Sequence, residues 1–184
     1  SGALFGWQLI LGRALGEAQF GIYNTVGALF AIGVTITAFS MSLIVIRDVA
    51  RRPDTAGRYL SATMMIETVL ALVAYVGINA AAQGYDETIR AFVGIAGLSL
   101  FIDMLGTMCY DQLIAQERMV TISVVEVVHI LIRITAAAIA LWAGYGLLGV
   151  YVVTIISGIG RSAALWILLS RSGVRPQFPL DRSI

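Results

Sequence analysis

Asn24–Ile46 reads NTVGALFAIGVTITAFSMSLIVI, 23 residues without a charge. A helix rises about 1.5 Å per residue, and the hydrocarbon core of a bilayer is about 30 Å thick, so about 20 apolar residues cross it. This stretch is therefore read as a membrane-spanning helix, and the rest of the chain repeats it. Tyr59–Ala82 carries only Glu67, and Ala91–Ile114 carries Asp103 and Asp111. Val120–Ala143 contains Glu126, His129 and Arg133, and Leu147–Ser170 contains Arg161. Residues 1–12 are apolar but too short to span alone, and read as the second half of a first helix whose start is missing. The expected fold is all-α, a polytopic bundle of six transmembrane helices over residues 1–170.

Composition agrees. Of 184 residues, 59% are hydrophobic and 12% charged, with a mean hydropathy of +0.88. A soluble domain is about half apolar and about a quarter charged, so a soluble enzyme core is excluded, as is a disordered chain. The net charge of +1 offers no basic field for nucleic acid. The lone Cys109 sits in apolar sequence and reads as a small buried hydrophobe.

The connections are short: 15–20, 83–90 and 144–146 on one side, 47–58 and 116–119 on the other. Tight links predict antiparallel sequential neighbours. Arginines divide unevenly between the two sides. Arg47, Arg51, Arg52, Arg58, Arg118, Arg171, Arg175 and Arg182 share one side, against Arg13 and Arg90 on the other. Positive residues stay inside, so loop 47–58 and the C-terminal end are expected in the cytoplasm.

Charges at mid-span are the informative exceptions. Each costs about 2.5–3.5 kcal/mol against lipid, so Glu67, Asp103, Glu126, Arg133 and Arg161 must turn inward. Counting rise, Arg133 lies roughly 20 Å and Asp103 roughly 16 Å from the arginine-rich end, which predicts a pair or a shared water network. Glu67 and Arg161, at roughly 12–14 Å, form a second expected pair. Glu126, His129 and Arg133 recur three and four residues apart and fall in one stripe about 60° wide, the pattern of a cavity wall. Asp111, Glu117 and Arg118 read as a solvated extension, and Tyr59, Tyr85, Tyr110, Tyr145, Tyr151 and Trp142 as interfacial belts.

No phosphate-binding loop, GxSxG, HExxH or paired cysteine is present, and one histidine supports no metal site. The live alternatives are a transporter, which needs a polar route at mid-depth, and a structural membrane subunit whose buried charges merely join helices.

Several connecting segments bear a likeness in the same order. Gly12–Tyr23 (GRALGEAQFGIY), Arg47–Arg51 (RDVAR) with Gly57–Leu60 (GRYL), and Gln116–Met119 (QERM) followed by Glu126 are the carriers. Together they resemble the loop patterns of Wzx-like polysaccharide flippases, in the multidrug/oligosaccharidyl-lipid/polysaccharide exporter superfamily. The resemblance implies an N-terminal lobe of a two-lobe carrier in the inner (cytoplasmic) membrane. Residues 171–184 would then be a cytoplasmic linker to a second, C-terminal lobe of the same chain. It implies flipping of polyprenyl-pyrophosphate-linked oligosaccharide by alternating access, no enzyme activity and no cofactor. Arg13, Arg133 and Arg161 become candidates for the pyrophosphate; Glu67, Asp103, Glu126 and His129 become candidates for H⁺ or Na⁺ coupling or for pairing within the cavity. Glu67 departs from a uniformly cationic lobe. A multidrug exporter of the same superfamily is the runner-up.

The topology is checked by Gly84→Cys, which is expected to react with a membrane-impermeant maleimide added outside. Protection there would reverse the orientation.

Overall fold

The computed structural model describes residues 2–37, 41–174 and 176, with side chains described for these except 2–10, 14 and 41. Arg175, Arg182 and most of the expected linker 171–184 lie outside the described residues. All regular structure among them is helical: α1 (Gly2–Thr37), α2 (Met41–Arg51), α3 (Ala56–Ala81), α4 (Glu87–Ala115), α5 (Met119–Trp142) and α6 (Gly146–Arg171). Short 3-10 turns at Pro53–Thr55 and Ala82–Gly84 complete the path. Five stretches, Leu15–Arg51, Pro53–Gly84, Glu87–Ala115, Met119–Trp142 and Gly146–Arg171, are long and apolar enough to cross a membrane. The chain is an all-α, multi-pass membrane bundle.

The distribution of polarity explains why. Large apolar side chains point outward, among them Val69, Val73, Val120, Leu131 and Ile139, while Glu67, Ser61, Thr63, Ser99, Asp111 and Gln112 are buried. That inversion suits a lipid solvent, which cannot hydrogen-bond a polar group. Hydroxyls within the helices satisfy themselves on the preceding turn, as Thr35 does on Ala31, Ser61 on Gly57 and Thr154 on Val150.

Residues 15–20, read as a connection, belong instead to helix. The break is a single residue, Gly16, with φ 72° and ψ 170°. The chain swings there so far that a Cβ on Gly12 would lie 3.9 Å from the Phe20 ring. In a straight helix, eight residues separate two positions by about 12 Å. Leu11 and Leu15 are thereby folded into the same core as Val26, Ile78, Val93, Leu100 and Val150.

α4 is the central element, packed against α1, α2, α3 and α6. Close approach to α3 requires Gly97, where a Cβ would sit 2.7 Å from the Tyr75 ring. A second cluster, Leu60, Met104, Met108, Cys109, Leu113, Leu165 and Leu169, fills the arginine-rich half, and Cys109 is buried in it as expected. The expectation of sequential neighbours fails at one joint. α4 and α5 barely touch, because α6 lies against both along their lengths.

α2 is amphipathic and lies over the arginine-rich end. Val45 and Val49, one turn apart, pack with Ala56 and Ala115, while Leu43, Arg47 and Arg51 stay exposed. Tyr59 donates to Asp48 Oδ2 at 3.0 Å, tying α2 to α3 across the Pro53 turn, and Arg47 Nε within α2 donates to Oδ1 of the same carboxylate at 2.7 Å.

At Gly16 the φ/ψ combination is open essentially to glycine alone, so Gly16→Ala is expected to cost about 1–3 kcal/mol. Thermal unfolding in detergent would read this as a lowered midpoint, with Gly21→Ala, in regular helix, as the control.

Candidate functional site

The gap left between α4 and α5 is a cavity of about 510 Å³, walled by α1, α4, α5 and α6. Its polar residues are Asp103 from α4, His129 and Arg133 from α5, and Ser99, Thr154, Tyr23 and Tyr151. α5 presents His129 and Arg133 together because they are four residues, about one turn, apart. Asp103, His129 and Arg133 are each half-buried, so the charges face a chamber instead of lipid. Of the polar stripe expected on the fifth span, His129 and Arg133 line the cavity, and Glu126 is not among its lining residues.

The expected pairings resolve differently. Asp103 and Arg133 line the same chamber within electrostatic reach of one another. No ion pair of 4 Å or less joins them among the described residues. Arg161 does not meet Glu67. Its Nε and Nη2 both grip Glu126 Oε1, at 2.7 and 2.6 Å, linking α6 to α5. A bidentate grip of one carboxylate oxygen is a strong, charge-assisted contact. Depth along each helix was the basis for matching Arg161 to Glu67, and depth is silent about which neighbour stands beside it.

Gly106 makes this pair possible. A Cβ there would lie 2.6 Å from Arg161 Nη1 and 2.8 Å from Ser162 Oγ, so α4 yields its side-chain space to the guanidinium. Ser162 Oγ also donates to the Ile102 carbonyl at 2.7 Å, a second polar tie between α6 and α4. The ion pair and this hydroxyl hold α6 against both neighbours and so keep the cavity open between them.

Glu67 is buried instead beside Asp111, with 5% and 6% of their surfaces exposed. Asp111 is therefore no solvated extension: α2 covers it, and Ser42 hydrogen-bonds to it. Arg13 is exposed near the Gly16 bend and is not among the residues lining the cavity.

Tyr151 also departs from expectation. It is not interfacial but 8% exposed, in ring contact with Tyr23 and Phe92 at 6.2 and 5.3 Å between centroids. Tyr85, Tyr145 and Trp142 do face outward, as a belt requires. Two residues of the cavity lining each carry a buried polar atom without a hydrogen-bond partner among the described residues: His129 Nε2 and Tyr151 Oη. The one sequence signal for Tyr151 was its position in the first turns of a span, which fits an interface equally well.

A family model described as "Polysaccharide biosynthesis protein" matches residues 2–182. No curated protein and no solved structure matches the chain.

Glu126→Gln leaves Arg161 without its counter-charge and is expected to destabilise the protein more than the double variant Glu126→Gln/Arg161→Gln. A double-mutant cycle on unfolding in detergent should give a coupling of about 1–3 kcal/mol. Gly106→Val should reproduce the loss by displacing the guanidinium. Strict additivity would show that the pair carries no weight.

Proposed function

We propose, for a chain that belongs to the polysaccharide biosynthesis protein family, that it forms one lobe of a carrier moving polyprenyl-pyrophosphate-linked oligosaccharide across the cytoplasmic membrane. The reading rests on one observation above others: Arg133 lines a partly open cavity with no ion-pair partner within 4 Å among the described residues. A guanidinium held in a membrane interior without a carboxylate partner is costly, and an anionic ligand removes that cost. Its planar donor fork matches the oxygens of a phosphate.

Arg133 is the pyrophosphate contact in this proposal. Arg161, engaged by Glu126, acts at one remove by holding α5 and α6 together. Arg13, exposed at the Gly16 bend, would meet substrate on its way past that face of the lobe. Asp103 and His129 share the chamber with Arg133, and exchange of H⁺ or Na⁺ there would alternate with the anion and couple the cycle. Glu67 with Asp111 is a second place for such exchange, away from the cavity.

The arginine-rich end, with α2 and the Pro53 turn, faces the cytoplasm in this scheme. A second lobe of the same chain faces this one, and rocking between the two exposes the substrate to each side in turn. The work is carriage, not bond-making: substrate is bound, screened from lipid and released, and no catalytic group is required.

Arg133→Ala in the full-length protein is expected to abolish polysaccharide export while protein level stays normal. Arg133→Lys, which keeps charge but loses the fork, should retain a fraction. Unchanged export in Arg133→Ala, or a loss that follows lowered abundance alone, would overturn the assignment.

A further inference from the structure

We propose that the outward ridge of α2, formed by Leu43, Arg47 and Arg51 and continued by Arg52, is a binding site for an anionic phospholipid. Its acyl chain lies beside Leu43 and its phosphate among the guanidinium groups. The proposal rests on the membrane fold alone and is independent of the carrier reading.

α2 has two opposite faces. Val45 and Val49 pack with Ala115. At about 100° per residue, Leu43, Arg47 and Arg51 fall within a stripe about 80° wide on the other side of the helix. There Leu43 is 77% exposed, Ile44 flanks it in the open, and Arg47, Arg51 and Arg52 are exposed too.

The ridge changes character along its length. Ser42 bonds to Asp111 and the two valines pack with Ala115, so α2 advances with the end of α4 towards the arginine-rich side. Helical rise places Arg47 roughly 6 Å and Arg51 roughly 12 Å beyond Leu43. The headgroup zone of one leaflet is about 5–8 Å thick. With Leu43 at the edge of the hydrocarbon, Arg47 stands among headgroups and Arg51 and Arg52 at their outer boundary.

The chemistry selects an anion with an apolar tail. Asp48 already accepts from Tyr59 and from Arg47 Nε, and the Nη groups of Arg47 make no hydrogen bond among the described residues. Asp54 is the other acidic group of this turn, against three guanidinium groups. The planar donor fork of each matches phosphate oxygens, and basic groups just outside a span attract anionic headgroups. A zwitterionic lipid brings its own cation to compete for that phosphate. A soluble acidic protein would reach Arg51 and Arg52 but leave Leu43 uncovered. Arg118 and Arg171 belong to the same end, yet each lies three residues from Ala115 or Val174, which pack on the valine face of α2. The ridge is therefore separable from the general charge of this end.

The test uses the full-length protein in nanodiscs of equal phosphatidylglycerol and phosphatidylcholine, with native mass spectrometry counting the lipids that stay bound on release. The wild type should retain phosphatidylglycerol in preference. Arg51→Gln/Arg52→Gln should cut that preference about 5–30-fold while the thermal midpoint in pure phosphatidylcholine stays unchanged. Arg51→Lys/Arg52→Lys should keep most of it, and Arg118→Gln/Arg171→Gln should leave it intact. Inorganic phosphate should displace the lipid no better than chloride at equal ionic strength. No preference in the wild type, or equal losses in the two glutamine variants, would overturn the site. Specific displacement by inorganic phosphate would overturn the lipid as its occupant.

Discussion

Hydrocarbon offers no hydrogen bonds, and that fact constrains the charged groups within the spans of this bundle. The Arg161–Glu126 pair is its clearest expression. Two ions that lipid would reject are turned towards one another, in a slot that Gly106 leaves open on the neighbouring helix. A buried pair of this kind is not necessarily more stabilising than an apolar contact of the same volume, but either charge left alone would be severely destabilising. It therefore dictates where α5 stands relative to α6, and everything built on α5 follows.

The cavity is a consequence of that placement. α6 packs between α4 and α5, so the two helices that carry Asp103 and Arg133 are held apart. Asp103 and Arg133, which would neutralise each other across a direct contact, instead look into shared space. The chamber carries the Arg133 guanidinium and the Asp103 carboxylate on its wall.

The arginine-rich end has a different character. There α2 lies across α3 and α4, and Glu67 and Asp111 are buried close together. Tyr59 and Arg47 both engage Asp48, so the chain's passage from α2 to α3 is braced by side chains as well as by Pro53. The two halves of the bundle are thus polar for different reasons: one encloses a chamber, the other buries carboxylates under an amphipathic helix.

Length and composition alone established that the chain crosses a membrane several times and that Glu67, Asp103, Glu126, Arg133 and Arg161 are kept from full exposure. The uncharged run Asn24–Ile46 and the isolated ions of the later spans leave no other solvent for this fold. The common stripe of Glu126, His129 and Arg133 was legible too, since 3.6 residues per turn is a local property. Partners were not legible. Rise per residue supplies depth, but rotation about each axis and the choice of neighbour come from packing between helices distant in sequence. So Arg161 met Glu126 and not Glu67, Asp111 was covered and not solvated, and Tyr151 turned inward to the cavity. Those outcomes depended on α6 lying between α4 and α5 and on α2 folding over the end. Such long-range contacts leave no periodic trace in the chain.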